Sequence, residues 1–176
     1  VYKRQVLSKF QFDTFYHEHP RTYSLTSFTY IAEMLNRSII ESEFPSRYGG
    51  NIRVFIGKNE KFTSLITDLS KEASFLEDFK IMDRNVKKWT QNKLLKINEL
   101  LQTNEKINAK AFPGRAAILV KLLNLDEKII KNVYEKPGSL KIGHYIPGTR
   151  IPIISDDVLF NSDDTKSLML NFAWHI

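Results

Sequence analysis

The amino-acid sequence predicts an α/β protein whose C-terminal part is built around a mainly parallel sheet. Two observations lead to this class. After about residue 105, β-branched stretches alternate with apolar helical stretches, which is typical of strand–helix–strand units. In addition, 42% of the 176 residues are hydrophobic, and twelve Phe, seven Tyr and two Trp residues argue against disorder. We therefore expect one folded domain, or one domain with an appendage.

Residues 1–58 are predicted to form a small α/β piece. Ser24 or Thr26 can cap a helix whose apolar residues, at helical spacing, are Phe28, Ile31, Ala32 and Leu35. Two segments with β-branched, alternating residues follow at residues 39–44 and 52–56, and we interpret them as strands. The stretch between them contains a proline and two glycines, which predicts a turn or bulge.

A long amphipathic helical stretch is predicted between residues 63 and 104. Its apolar stripe consists of Met82, Val86, Trp89, Ile97 and Leu100, flanked by Leu94 and Leu101. The other face is basic and carries Lys80, Arg84, Lys87, Lys88, Lys93 and Lys96. We place a domain boundary near residue 58, with linking helices at residues 59–104 and a C-terminal domain at residues 105–176.

The C-terminal domain is predicted to alternate strands and helices. The predicted strands are residues 107–112, 129–134 and 168–174, and residues 116–123 are predicted to be a helix. Gly114 and Arg115 lie in the tight turn before that helix, where free amides at a helix N-terminus can bind an anion. This turn has one glycine instead of the three of a dinucleotide fingerprint, so the pattern does not support a claim of dinucleotide cofactor binding.

Residues 137–152 contain three prolines among other turn-forming residues. A stiff loop loses little entropy on binding, so its polar residues Lys141, His144, Tyr145 and Arg150 are candidate ligand contacts. Prolines also simply terminate strands, and the pattern by itself leaves both interpretations open.

The chain carries a net charge of +6, which admits nucleic acid, a membrane surface or a phosphorylated small molecule as partner. No nucleic-acid motif accompanies the basic helix, and no apolar run approaches the roughly 20 residues that span a membrane. We therefore predict neither nucleic acid nor membrane as a partner. The absence of cysteine excludes disulfides and thiol catalysis and fits a reducing compartment, so we expect a cytoplasmic protein. The oligomeric state stays open.

The stretch Tyr16-His17-Glu18-His19, called the tetrad below, concentrates more chemistry than any other part of the sequence. A histidine beside a carboxylate and a phenol can accept a proton and be held in one tautomer, which describes a general base with its supports. One alternative is a loop cap with a local surface pair. A second is a metal site at His17 and His19, but the sequence has no cysteine and no further histidine before His144, so no metal is predicted.

Three segments of the sequence, at residues 16–19, 47–54 and 141–153, are similar to known motifs. The first is similar to a Y-H-E-H segment, the second to H-G-G-S-L-R, and the third to K-Q-G-x-Y-L-P-G-T-x-I-P-I. In this order the segments resemble S-adenosylmethionine-dependent sugar C-methyltransferases over most of the chain. The resemblance implies that residues 1–58 are the last helix and strands of a methyltransferase domain. It also implies that residues 105–176 form a Rossmann-like three-layer, substrate-binding domain, truncated at its end.

The resemblance further implies methyl transfer from S-adenosylmethionine to a sugar carbon beside a ketone on a nucleotide-linked deoxysugar. His19 is then the base, Tyr16 and Glu18 orient the substrate or polarise the base and the keto oxygen, and His17 is structural. The implied substrate-binding residues are Arg53, Gly114, Arg115, Lys141, Tyr145, Thr149 and Arg150. The sequence has no glycine-rich methyl-donor loop, so we expect an upstream region to bind most of the donor and this fragment alone to be inactive.

Two other functions stay open at this stage. A non-catalytic nucleotide or sugar-nucleotide binding module would bind its ligand through Arg115, Lys141, Tyr145 and Arg150 and leave the tetrad idle. A protein-interaction domain would use the basic helix and bind no small ligand.

Overall fold

A computed structural model of the chain describes residues 3–45, 51–58, 69–160 and 168–173. All but the first residue of the predicted turn at residues 45–50, the first part of the predicted helical stretch and Trp174 lie outside these ranges. The chain forms two compact units, which are described separately. The first unit comprises Val1–Thr14 and His19–Lys87, and the second comprises Phe15–Glu18 and Lys88–Ile176. The domain boundaries near residues 58 and 104 stay predictions.

Among its described residues, and besides the start of a long helix, the first unit contains two short helices, a hairpin and two 3₁₀ turns. Helices α1 and α2 are Lys3–Ser8 and Leu25–Met34, strands β1 and β2 are Ser38–Glu43 and Arg53–Gly57, and the 3₁₀ turns are Phe12–Thr14 and Leu69–Glu72. The two predicted strands are confirmed within one residue at each end. They pair antiparallel, with Glu43 opposite Arg53 and an irregularity between Ile39 and Glu41.

Helix α2 begins at the first of the two predicted caps. The Ser24 hydroxyl accepts a hydrogen bond from Ser27 N at 3.2 Å, and Ser24 N donates to the Ser27 hydroxyl at 3.3 Å. This reciprocal arrangement satisfies amides that would otherwise be unpaired at a helix start. Thr26, the other predicted cap, lies inside the helix and donates to Glu72 instead.

The long helix α3 is Phe75–Leu101, and its predicted apolar stripe is confirmed. In the first unit, Phe75 and Met82 are buried against Leu7. In the second unit, Ile97 is buried in the main core, and the partly buried residues packed against that core are Trp89, Leu94, Leu100 and Leu101. Trp89 is therefore a packing residue. The basic face lies in solvent, where several of its cations pair with acids on the same helix: Lys80 and Arg84 with Glu77, Lys87 with Asp83, and Lys96 with Glu99.

The second unit is a Rossmann-like α/β structure with a parallel sheet, as predicted. After α3 the order is β3 (Ile107–Lys110), α4 (Ala116–Leu122), β4 (Ile130–Glu135), β5 (Ile153–Ser155), α5 (Asp157–Phe160) and β6 (Met169–Asn171). The four strands are hydrogen-bonded in the order β5-β4-β3-β6, and every pair is parallel. Strand β5 and helix α5 were not predicted, because each is very short and β5 directly follows Pro152.

The core of the second unit lies where the sheet meets α3 and α4. Strand residues Ile107, Ala109, Ile130 and Val133 are at most 1% exposed, and helix α4 contributes Ala116 and Val120. In β3 the three consecutive residues Ile107, Asn108 and Ala109 are buried, so both faces of the sheet are covered at this strand. Within the described ranges, no helix combines the length and apolar character that crossing a membrane requires.

The strand order also marks the place where a ligand would bind. From β3 the chain moves to β4 and then β5 on one side, and it returns to the other side of β3 to form β6. In open parallel sheets, the carboxyl ends of strands on either side of such a reversal bound a crevice that binds ligands. The loop between β3 and α4, residues 111–115, leaves the sheet at this point.

Candidate functional site

The loop after β3 has a constrained backbone. Ala111 has a left-handed φ of 59°, which is unusual for a residue with a side chain. Its amide donates to Tyr134 O at 2.8 Å, and the next residue, Phe112, is buried. Gly114 and Arg115 then form the turn into α4, as predicted. With seven residues, α4 is short, so the side chains around this turn decide its chemistry more than the helix does.

Part of the tetrad packs on this turn. A Cβ added to Gly114 would lie 3.0 Å from Tyr16 Cε2 and 3.2 Å from Glu18 Oε1. A side chain at position 114 would force both neighbours to move by a few tenths of an ångström. The structure therefore brings four predicted site residues together, Tyr16, Glu18, Gly114 and Arg115, and we call them the Tyr16 cluster.

Hydrogen bonds connect the polar groups of the Tyr16 cluster. The Tyr16 hydroxyl donates to Glu18 Oε2 at 2.8 Å. Burial raises the pKa of Tyr16, and the Glu18 carboxylate raises it further through this hydrogen bond and its charge. A hydrogen bond from the Arg115 guanidinium and its positive charge lower the pKa of Tyr16, but the net change is upward. At neutral pH the phenol is protonated and lies between an anion and a cation.

The two histidines of the tetrad belong to different units. His17 lies beside the Tyr16 cluster: its ring meets the Tyr16 ring edge-on at 5.4 Å, and Nε2 is 3.9 Å from Glu18 Oε1. Its side chain is 74% exposed, so this contact with Glu18 is weak. His19 belongs to the first unit and is half-buried. The roles predicted for both residues stay predictions.

The predicted ligand contact Lys141 already binds groups of the second unit. Its Nζ donates to Phe112 O at 2.6 Å and to Glu135 Oε1 at 3.1 Å. The same Glu135 oxygen accepts the Phe112 amide at 2.7 Å. We call Phe112, Glu135 and Lys141 the Phe112 brace. Glu135 was missed from the sequence, where the available signal was an acid directly after the predicted strand at residues 129–134.

The loop at residues 137–152 is held by a turn. Gly148 has a φ of 78°, and Thr149 N donates to Ile146 O at 3.0 Å across Pro147 and Gly148. This places proline and glycine where a type II turn requires them. The Thr149 hydroxyl donates to Ile146 O at 2.9 Å and accepts Ile151 N at 3.1 Å, so it stabilises the loop from within.

Three further predicted contacts lie on the surface. In the loop, Tyr145 is 59% exposed, and Arg150 is exposed while its backbone amide donates to Glu127 Oε2 at 3.3 Å. Arg53 belongs to the first unit and pairs with Glu43 across the hairpin at 2.7 Å, with both side chains largely exposed. Their predicted roles in binding the substrate stay predictions. Among the residues that the structure describes, no group of three or more His, Asp or Glu side chains could hold a metal ion.

Comparison with known proteins supplies the family. Residues 46–176 match the family model described as the C-methyltransferase C-terminal domain, which covers most of the chain. The match includes the loop after β3 and the Phe112 brace, and it begins after the tetrad. No curated protein matches the sequence significantly. Together with the parallel sheet and the loop signature at residues 141–153, the match shows that this chain belongs to the C-methyltransferase C-terminal domain family.

Proposed function

We propose that this chain is the part of an S-adenosylmethionine-dependent C-methyltransferase that binds a nucleotide-linked keto-deoxysugar and activates its carbon for methylation. The observation that supports this proposal best is the Tyr16 cluster. It combines a protonated phenol, a carboxylate and a guanidinium at the carboxyl end of β3, beside the point where the strand order reverses. Family membership supports the methyltransferase class.

The chemistry begins with a proton on the sugar carbon next to the ketone. In our proposal His19 accepts this proton, the C–H bond breaks, and its electron pair moves into the ring to give an enolate with negative charge on the former keto oxygen. An imidazole suits this step because its ordinary pKa is near neutrality. A positioned base of this kind accelerates proton removal by roughly 10²- to 10⁴-fold.

The Tyr16 cluster would stabilise the enolate oxygen. The raised pKa of Tyr16 keeps its hydroxyl protonated at neutral pH, so it can donate to the developing negative charge. The Arg115 guanidinium adds a positive charge at the same place, and Glu18 orients the phenol. Loss of a single such donor typically lowers turnover by about 10²- to 10³-fold.

The methyl donor does not fit the Tyr16 cluster. The turn after β3 has one glycine, and the Tyr16 ring and the Glu18 carboxylate pack on it. S-Adenosylmethionine supplies an electrophilic methyl group when it is bound, but we assign its binding to none of the residues described above. The part proposed for this chain ends with the enolate.

Proton removal can be measured without the methyl donor. The 176-residue chain is incubated in D₂O with a dTDP-linked or GDP-linked keto-deoxysugar, and deuterium incorporation at the carbon next to the ketone is followed by NMR. We expect exchange that His19→Ala slows by about 100-fold or more. His17→Ala is the matched control and should exchange at close to the unaltered rate. Exchange in His19→Ala at the unaltered rate would remove His19 from the mechanism.

A calorimetric titration with dTDP and GDP tests binding separately. In our proposal Arg115 also binds the nucleotide phosphates. We therefore expect saturable binding of one nucleotide and its loss in Arg115→Ala, whereas Arg84→Ala, a surface arginine of α3 that pairs with Glu77, should bind normally. Nucleotide binding without any deuterium exchange would instead indicate a non-catalytic sugar-nucleotide binding module. A folded chain that binds neither nucleotide contradicts the proposed nucleotide site.

A further inference from the structure

The Phe112 brace holds both backbone polar groups of a single residue. Glu135 Oε1 accepts the Phe112 amide at 2.7 Å, and Lys141 Nζ donates to the Phe112 carbonyl at 2.6 Å. The two side chains are themselves paired at 3.1 Å. Bonds to charged groups at such distances are stronger than those between neutral groups, and the Glu135 side chain is only 11% exposed, so water competes weakly for it. The backbone of Phe112 therefore has little freedom.

Phe112 lies between a residue with a left-handed backbone and the turn that leads into α4. Before it lies Ala111 with its left-handed φ of 59°, and after it lie Pro113, Gly114 and Arg115. A left-handed alanine persists only where its surroundings hold it. Glu135 ends β4 and Lys141 lies in the loop that follows, so the brace connects the loops at the carboxyl ends of two adjacent strands.

The turn that follows Phe112 is the surface on which Tyr16 and Glu18 rest. Gly114 contacts both side chains, and Arg115 hydrogen-bonds the Tyr16 hydroxyl. A shift of Phe112 would move this turn away from Tyr16. Lys141 has two partners inside the brace, so its ammonium is used there and is poorly placed to bind a substrate phosphate as well.

We propose that Glu135 and Lys141 are positioning residues, which hold the Gly114–Arg115 turn against Tyr16 and Glu18 through the backbone of Phe112. The benefit of this geometry for the substrate rests on the proposed function, whereas the positioning itself does not. The first test therefore uses no ligand.

The test measures the pKa of Tyr16 in the 176-residue chain. Tyrosines carry ¹³C at Cζ, the signal of Tyr16 is assigned with Tyr16→Phe, and its shift is followed with pH. Arg115→Met shows how far the pKa of Tyr16 changes when the Arg115 charge is lost. This variant should raise the pKa, because the Arg115 charge lowers it. Besides Arg115, Glu18 contacts the Tyr16 hydroxyl directly, and the ring of His17 packs edge-on against the Tyr16 ring.

Glu135→Gln is the decisive variant, because a through-space effect of its charge and a positioning role change the pKa of Tyr16 in opposite directions. Removal of a negative charge, acting through space alone, lowers the pKa of Tyr16. Release of Lys141 and displacement of Arg115 raise it. The pKa of Tyr16 should rise in Glu135→Gln and in Lys141→Met, and it should return to its original value in Lys141→Arg. Lys136→Met, which removes an exposed lysine next to Glu135, should raise it far less, because solvent screens that charge.

Hydrogen exchange of the Phe112 amide provides the second measurement. Loss of the bond to the Phe112 carbonyl should speed this exchange roughly tenfold in Lys141→Met, and Lys136→Met should leave it unchanged. Glu135→Gln should speed it less, because the Gln amide oxygen can still accept the Phe112 amide. If Lys141→Met does not fold, Glu135→Gln still tests the proposal through the pKa of Tyr16. We expect Glu135→Gln to fold, because the Gln amide oxygen can accept the Phe112 amide. An unchanged or lowered pKa of Tyr16 in folded Glu135→Gln, with a rise in Arg115→Met, would overturn the proposal.

The two proposals fail in different ways. If the chain neither binds a nucleotide nor exchanges deuterium, the proposed function is wrong, but the Tyr16 titration can still show that the brace positions Arg115. If the proposed function is correct, the positioning role predicts that Lys141→Met slows deuterium incorporation into the keto-sugar and that Lys141→Arg restores its rate. A phosphate-binding role would instead raise KM in Lys141→Met and leave the pKa of Tyr16 unchanged.

Discussion

Gly114 packs directly on the ring of Tyr16, so that a Cβ at position 114 would lie 3.0 Å from Tyr16 Cε2. The same Cβ would lie 3.2 Å from a carboxylate oxygen of Glu18. Glycine at this position therefore has a reason inside the protein: it lets the tetrad approach the loop after β3. The contact joins two distant parts of the sequence and builds the Tyr16 cluster.

The first prediction concerns this contact. Gly114→Ala should displace Tyr16 and Glu18 by a few tenths of an ångström, because Tyr16 Cε2 would be closer than an ordinary van der Waals contact. We expect a loss of unfolding free energy of about 1 kcal/mol and a larger loss of deuterium exchange, since a misplaced donor costs more in catalysis than in stability. Urea denaturation and the exchange assay measure the two effects. Gly138→Ala, where a Cβ meets nothing within 4 Å but φ is 82°, controls for a simple loss of glycine.

A second prediction separates the hydroxyl of Tyr16 from its ring. Tyr16→Phe keeps the packing on Gly114 and removes the donor to Glu18. Deuterium exchange should fall roughly 100-fold, while the unfolding free energy changes by less than about 1 kcal/mol, because the bond is exposed to water. Since the pKa of Tyr16 is raised above 10.0, the activity that depends on this hydroxyl should persist up to and beyond pH 10. An unchanged exchange rate in Tyr16→Phe would exclude the donor role.

A third prediction concerns the start of α2 in the first unit. Glu72 accepts hydrogen bonds from Leu25 N at 2.8 Å, Thr26 N at 3.0 Å and the Thr26 hydroxyl at 2.6 Å. Partial burial, the largest single influence, raises the pKa of Glu72, but the bonds from Thr26 and its neighbours together outweigh it and lower the pKa below 4.5. The negative charge also interacts favourably with the helix N-terminus.

The lowered pKa of Glu72 determines how the stability of the protein depends on pH. A lowered pKa contributes stability that is present above the ordinary pKa of 4.5 and is lost as the pH falls through the lower folded-state value. Glu72→Gln should therefore cost about 1 to 2 kcal/mol at pH 7, and the difference from the unaltered chain should shrink as the pH falls below 4.5. Urea unfolding of both chains from pH 7 to pH 3 measures this difference in unfolding free energy. A difference that does not vary with pH would contradict this account.

A fourth prediction tests the turn in the loop at residues 137–152. The Thr149 hydroxyl bonds Ile146 O and Ile151 N, and both isoleucines are at most 1% exposed. Thr149→Val has nearly the same shape but leaves a buried amide without its partner, so it should cost about 1 to 2 kcal/mol of unfolding free energy. Thr149→Ser keeps the hydroxyl and should cost less than about 0.5 kcal/mol. Equal losses in the two variants would show that the methyl group, and not the hydroxyl, stabilises the turn.

Local chemistry accounts for what could be predicted from the sequence. Ser24 caps α2, the apolar stripe of α3 is buried, and the strands at residues 107–110 and 130–135 alternate with a helix as expected. Each of these depends on residues close together in the chain, whose spacing is visible in the sequence. Strand β5 was missed because three residues after a proline carry no periodic pattern of their own, and only pairing with β4 makes them a strand.

The sequence by itself determined the α/β class, the residue types of the tetrad and the glycine turn after β3. The tertiary structure decided that Tyr16 and Glu18 pack on that turn, and that Lys141 bonds Glu135 and the Phe112 carbonyl. Gly114 is far from Tyr16 and Glu18 in the chain, and the Phe112 carbonyl meets Lys141 only when β3 and β4 become neighbours in the sheet. Distances of 2.6 to 3.1 Å between such groups depend on strand order and loop path, which residue spacing does not encode.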